Sequence, residues 1–246
     1  MRVKLTVAYD GTAYCGWQIQ PNGITIEEVL NRELSALFKE DIKVSGGSRT
    51  DSGVHALGNV AVFDTSSKMP AEKIALAVNQ SLPDDIRVVK SEEVASDYHP
   101  RYVKCTKTYE YRILNTKINN PMKRLYAYHY HYDLDIEKMN RAAKYLEGEH
   151  DFTSFASIHS QVNSFTRTIY ECSVSRKEDE VIITVSGDGF LYNMVRIIAG
   201  TLIQVGSGLK DPDDIPRILS ALDREQAGPT APPQGLTLIS RVEEYL

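Results

Sequence analysis

The chain has 246 residues, of which 42% are hydrophobic and 25% charged, an ordinary balance that excludes a largely disordered or collagen-like protein. Its length suits one large domain or two modest ones. Net charge is −5, which taken as an average argues against a nucleic-acid partner, but Arg101 to Arg124 alone carries +6 and leaves −11 for the rest. A segment so basic fits phosphate binding, and it also fits a strand edge guarded by lysines.

No apolar run reaches the roughly 20 residues of a membrane span. The best stretch, Val195 to Val205, is short and contains Arg196. The N-terminal residues alternate polar and apolar, as a strand does and a signal peptide does not. Three scattered cysteines, Cys15, Cys105 and Cys172, form no CxxC pair and no zinc spacing, which points to a reducing cytoplasm.

In chain order, the alternation of Val3, Leu5, Val7 and Tyr9 predicts a half-buried strand over Met1 to Tyr9. Thr25-Ile26-Glu27-Glu28 reads as a capping box, followed by a helix through Leu37. Short strands are expected at Ile42 to Val44 and Asn59 to Phe63, on either side of a glycine-rich loop. A helix over Ala71 to Gln80 and a strand over Ile86 to Lys90 complete the order β-α-β-β-α-β, the split βαβ or ferredoxin-like arrangement. The second half opens with strands at Lys107 to Leu114 and Tyr126 to Tyr132. A helix over Ile136 to Leu146 follows, then a turn at His150-Asp151. Arg167 to Arg176 and Glu180 to Val185 form a hairpin. Helices at Phe190 to Val205 and Pro212 to Leu222 precede a last strand at Gly235 to Val242. Two related α+β halves are expected, over residues 1–100 and 101–246.

The chemistry concentrates in Gly46-Gly47-Ser48-Arg49-Thr50-Asp51-Ser52-Gly53-Val54-His55-Ala56. Glycines at both ends allow a tight path. Arg49 beside Asp51 favours the ionised carboxylate, a competent nucleophile or general base. The alternative is an Asx turn, with Asp51 capping its own loop and Arg49 in solvent. His55 reads as structural. His129 and His131 alternate but lack companion ligands, so no metal is expected. Walker A and GxGxxG sequences are absent, which leaves nucleotide-cofactor binding unsupported.

Several further motifs stand in order with that loop: Tyr9-Asp10-Gly11-Thr12, Gly16-Trp17-Gln18, Val78-Asn79-Gln80-Ser81-Leu82-Pro83 and Tyr98-His99-Pro100-Arg101. Lys107-Thr108-Tyr109-Glu110-Tyr111, Asp151-Phe152-Thr153-Ser154-Phe155 and Phe190-Leu191-Tyr192-Asn193-Met194-Val195-Arg196 complete the set. Each is weak alone. Together, nearly end to end, the chain resembles the tRNA pseudouridine synthase A family, which isomerises uridines in the anticodon arm.

The resemblance implies two ferredoxin-like halves sharing a largely antiparallel central sheet, with helices on one face and the active-site cleft between the halves. It implies a cytoplasmic homodimer acting on tRNA without metal or organic cofactor. Residue by residue, Asp51 matches the catalytic aspartate and Arg49 the arginine just before it. Tyr109 matches the tyrosine that stacks on the target base, and Arg196 an arginine that pairs with the catalytic carboxylate. Asp188 is the alternative partner for Arg196. Arg101, Lys104, Lys107 and Arg112, which flank Tyr109, are the expected phosphate contacts.

Three positions depart from the family pattern: Ser48 where glycine is usual, Gly187-Asp188-Gly189 before Phe190, and Thr237 where an aromatic is commoner. Two rival functions remain at this level. A non-catalytic RNA-binding protein would tolerate any change at Asp51. A glycosidic-bond hydrolase would release free uracil, and glycosidases generally use a carboxylate pair where this chain offers one candidate.

Overall fold

The computed structural model describes residues 1–157 and 162–243. It has a mixed α+β fold in two compact units, Met1–Cys105 with the C-terminal segment from Leu238, and Thr106–Thr237. The chain therefore changes unit at Cys105, five residues past the expected boundary, and its final strand returns to the first unit.

In the first unit β1 (Arg2–Tyr9) is followed by α1 (Ile26–Phe38), β2 (Ser45–Gly46), β3 (His55–Asp64), α2 (Ala71–Val78) and β4 (Ile86–Val94). β1 lies antiparallel between β3 and β4, with Val3 opposite Phe63, Leu5 opposite Ala61 and Val7 opposite Asn59. β2 pairs with the far side of β3, so the order β4-β1-β3-β2 is that of the ferredoxin-like arrangement. β10 (Leu236–Glu243) also runs beside β3. Val3, Leu5 and Val7 share one face of β1 and are fully buried, as are Ile26, Leu30 and Leu34 of α1 and Ile74 and Val78 of α2, which packs on β4. Thr25 caps α1 as expected, its hydroxyl accepting the Glu28 N–H at 3.3 Å.

The second unit holds β5 (Cys105–Leu114), β6 (Tyr128–His129), α3 (Ile136–Lys144), β7 (Gly148–Asp151), β8 (Thr166–Lys177), β9 (Glu180–Gly187), α4 (Met194–Gly206) and α5 (Asp214–Ala221). β5, β9, β8 and β7 form an antiparallel run in that order, and β6 adds to β5 in parallel. α3 packs on β8 and on α4.

Some expected elements shift, each for a local reason. Ile42 and Val44 are buried but not in a strand, because their N–H groups are taken by Ser35 Oγ and Asn31 Oδ1 of α1. The strand sits at Ser45–Gly46 instead. Of Tyr126 to Tyr132 only Tyr128–His129 pairs, since the Asn115 amide takes the carbonyls of Tyr130 and Tyr132. His150-Asp151 belongs to β7, paired to β8, and is not a turn. α2 stops at Val78 because the Asn79 side chain bonds both N–H and C=O of Val88. α4 starts at Met194 because Asn193 is left-handed at φ 61°.

Candidate active site

The loop joining β2 to β3 is held from outside by the segment after β1. Trp17 N–H donates to the Thr50 carbonyl at 3.0 Å, and Gly53 N–H to the Tyr14 carbonyl at 3.3 Å. The Ser52 hydroxyl reaches the same Tyr14 carbonyl at 3.2 Å. This approach demands glycine. A Cβ on Gly16, which sits at φ +82°, would stand 2.6 Å from the Thr50 carbonyl oxygen. The indole of Trp17 is fully buried against Gly46, where a Cβ would stand 2.2 Å from its Nε1.

From inside, the Asn59 amide donates to the Ser48 carbonyl at 3.0 Å and to the Tyr9 hydroxyl at 3.2 Å. The Tyr9 hydroxyl lies 2.7 Å from Thr50 Oγ1. Between these fixed points Arg49 is exposed and Asp51 half-buried. The Asp51 carbonyl accepts the Val54 N–H at 3.1 Å, which closes a tight turn that begins at Asp51. Ser48 keeps a negative φ, so serine in place of the usual glycine does not strain the backbone. His55 is buried, with Nδ1 3.1 Å from both the Gly11 N–H and Asp10 Oδ1, as a structural histidine would be.

Arg101 belongs to this neighbourhood, its Nε donating to the Gly46 carbonyl at 3.1 Å. The turn that carries it is anchored by Arg241, which donates to the Pro100 carbonyl. Lys104 is exposed and Lys107 half-buried. Arg112 differs: it pairs with Glu110 at 2.7 Å and Glu180 at 3.2 Å, and Lys123 also pairs with Glu180 at 2.8 Å. Part of the positive charge summed from the sequence is thus already offset.

In the second unit Tyr109 lies on β5 opposite Val185 of β9 and is 7% exposed. Phe190 meets its ring edge-on, with centroids 5.2 Å apart at 86°. This contact depends on Phe190 lying outside α4, whose start the left-handed Asn193 delays. Arg196 is in the first turn of α4 and half-buried. Its Nε donates to the Ala231 carbonyl at 2.7 Å and its NH1 to Asn193 Oδ1 at 2.8 Å. Asp188, the alternative partner, accepts the Thr168 N–H at 3.0 Å.

Sequence reasoning assigned no role to Tyr9, Asn59 or Phe190. The available signal was Asn59 itself, an amide at the head of the apolar run Val60-Ala61-Val62-Phe63, where an unpaired polar group would be costly. Among the described residues no group of three or more His, Cys, Asp or Glu stands ready to hold a metal ion. No described helix is long and apolar enough to cross a membrane.

A family model described as tRNA pseudouridine synthase matches residues 5–103 and 142–241. The chain is 50% identical to tRNA pseudouridine synthase A of Ruminiclostridium cellulolyticum, over 97% of this chain and 98% of that one. It is 48% identical to the protein of the same name from Thermoanaerobacter sp., over 96% and 97%, and 46% identical to that of Brevibacillus brevis, over 96% and 97%. Among solved structures, a chain in the crystal structure of a Cbf5-Nop10-Gar1 complex aligns with a TM-score of 0.37 at 17% identity, covering 82% of this chain and 45% of that one. With the family model covering most of its length and relatives near half identity across nearly all of it, the chain belongs to the tRNA pseudouridine synthase family, a family of isomerases.

Proposed function

We propose that this enzyme converts uridine to pseudouridine at roughly positions 38 to 40 of the tRNA anticodon arm, a reach set by RNA shape more than by base readout. Asp51 is the catalytic carboxylate. The observation that carries this reading is the loop itself: a half-buried aspartate on a backbone clamped from both sides, beside an exposed arginine.

The reaction breaks the bond between ribose C1′ and uracil N1, turns the base while it stays bound, and joins C1′ to C5. The proton on C5 is lost and N1 gains one, so the product is an isomer and no co-reactant is consumed. Three first steps are open to a carboxylate: attack on C1′, removal of the C2′ proton to give a glycal, or addition to C6 of the base. The resemblance gives Arg196 the part of the arginine that pairs with the catalytic carboxylate, an arrangement that favours a charged carboxylate. Arg49 either orients that carboxylate or fills the space the flipped uridine vacates. Taking the base out of the stack costs about a few kcal/mol. Stacking on Tyr109 returns about 1–3 kcal/mol, and the edge-on Phe190 fixes the plane of that ring beforehand.

Arg101, Lys104 and Lys107 contact phosphates. Arg112 contributes less, because it must release Glu110 and Glu180 to do so. The enzyme acts as a homodimer, without metal or organic cofactor. Its three cysteines are free thiols, which fits the reducing cytoplasm where we place it.

The test is Asp51→Ala and Asp51→Asn on tRNA tritiated at uridine C5. Both variants should bind tRNA with wild-type affinity and release no label. Normal turnover by the alanine variant would remove Asp51 from the mechanism, and free uracil from the wild-type enzyme would make it a hydrolase.

A further inference from the structure

We infer that Tyr9, Thr50 and Asn59 are positioning residues for the Asp51 carboxylate, with the Tyr9 phenol as the link between the other two. The inference rests on the reading of Asp51 as the catalytic residue.

All three side chains are buried. A buried asparagine must have its polar atoms paired, and here the pairing fixes its orientation. Asn59 Nδ2 points at the Ser48 carbonyl, which accepts only, and Oδ1 takes the Val60 N–H at 2.9 Å. Nδ2 also donates to the Tyr9 oxygen at 3.2 Å, so the phenol proton is left for Thr50 Oγ1 at 2.7 Å. Burial holds the Tyr9 pKa well above its ordinary value, so the phenol stays a neutral donor wherever the enzyme is folded.

The two grips bracket Arg49. One holds the Ser48 carbonyl just before it, and the other holds the Thr50 side chain just after it. Asp51 is the next residue. Trp17 N–H holds the Thr50 carbonyl from the opposite side at 3.0 Å. The Tyr9 ring is itself fixed, since it ends β1 opposite Ala56 and packs on the Trp17 indole with centroids 6.0 Å apart. Rotation of the Thr50–Asp51 backbone would therefore break a buried hydrogen bond on one side or the other. Such fixity matters because a misplacement of about 1 Å at the reacting atoms costs a rate of the order of 100-fold. Buried hydrogen-bond chains also act as a unit, so removing one link should release the whole device.

The experiment is a double-mutant cycle in the full-length enzyme with Tyr9→Phe, Thr50→Val and both together. Thr50→Ser serves as conservative rescue and Asp51→Ala as reference. Single-turnover isomerisation is measured at saturating enzyme, tRNA affinity by filter binding, and folding by thermal melting. Tyr9→Phe and Thr50→Val should each slow the chemical step by about 10-fold or more with tRNA affinity within about twofold. The double variant should be no slower than the slower single, and Thr50→Ser should restore the rate. Full activity in folded Tyr9→Phe, a loss confined to tRNA affinity, or losses that multiply in the double variant would each overturn the inference. If Tyr9→Phe does not fold, the contrast between Thr50→Val and Thr50→Ser decides alone. An inactive Asp51→Ala beside a fully active Tyr9→Phe refutes positioning only. An active Asp51→Ala refutes the catalytic reading itself.

Discussion

Tyr109 shows how much one side chain can be asked to do. It is almost fully buried, its ring is steered by Phe190, and its neighbour on the adjacent strand is Val185. Tyr109→Phe preserves volume, edge contact and stacking surface, and removes only the hydroxyl. If that hydroxyl bonds the rotating base or moves a proton, the variant should slow the chemical step by about 10- to 100-fold, a usual range for a lost general acid–base contact. tRNA affinity should hardly change. Single-turnover kinetics beside equilibrium binding checks this, and a large affinity loss with normal turnover would contradict it. The glycines around Arg49 and Asp51 mark a tightly turning loop in the sequence, but they fit an Asx turn equally well, and only the ordered motifs elsewhere in the chain give the two residues their proposed roles. Asn59 was not legible even to that extent. A single amide in an apolar strand looks the same whether it is misplaced, solvated or paired, and only the Ser48 carbonyl and Tyr9 hydroxyl beside it decide which.

At the scale of elements, sequence periodicity found most helices and strands because burial enforces it, and it failed where burial came from a different partner. Ile42 and Val44 alternate like a strand, yet they are packed and hydrogen-bonded by α1. β10 carries what no periodicity reveals, a buried ionic cluster. Glu243 accepts from Lys4 at 2.9 Å and also from Arg241 and Tyr98. The side chains of Glu243 and Arg241 are 3% and 0% exposed. Burial alone would raise the Glu243 pKa, but the hydrogen bonds from Tyr98, Lys4 and Arg241 outweigh it and hold the carboxyl below its ordinary range. Burial and the Glu243 contact in turn push Tyr98 up to about 12, so it remains a donor. A carboxylate with a depressed folded-state pKa stabilises the fold fully above its unfolded value of about 4.3 and loses that contribution as pH falls through the folded value. Glu243→Gln should therefore cost about 3 kcal/mol at neutral pH, because it leaves Arg241 buried without its counter-ion. The gap between variant and wild type should narrow as the medium becomes more acidic than about pH 4. Urea denaturation of both proteins across that range measures it, and a gap independent of pH would mean that folding does not lower the Glu243 pKa.

For the whole molecule, the problem is how an acidic protein handles a polyanion. The net charge of −5 is misleading because Arg101 to Arg124 concentrates the opposite sign. The raw sum is misleading too, and this was beyond the reach of sequence. Arg112 and Lys123 are both spoken for by Glu180, a residue far along the chain that only the β5–β9 pairing brings near. Beside them in the segment, Arg101 is fixed to the Gly46 carbonyl next to the Asp51 loop, Lys104 is exposed, and Lys107 is half-buried. If these neutralise phosphates, bound cations are displaced from the RNA, and log affinity for tRNA should fall linearly with log salt. Replacing Arg101 or Lys104 by Gln should each reduce the magnitude of that slope by about 1. Arg112→Gln should change it by distinctly less, because the lost charge was already balanced inside the protein. Filter binding of unmodified tRNA from low to physiological salt reads all four slopes. A wild-type slope near zero would show that the basic segment does not meet the RNA backbone. An Arg112 effect equal to that of Lys104 would show that Arg112 leaves its carboxylates when the substrate arrives.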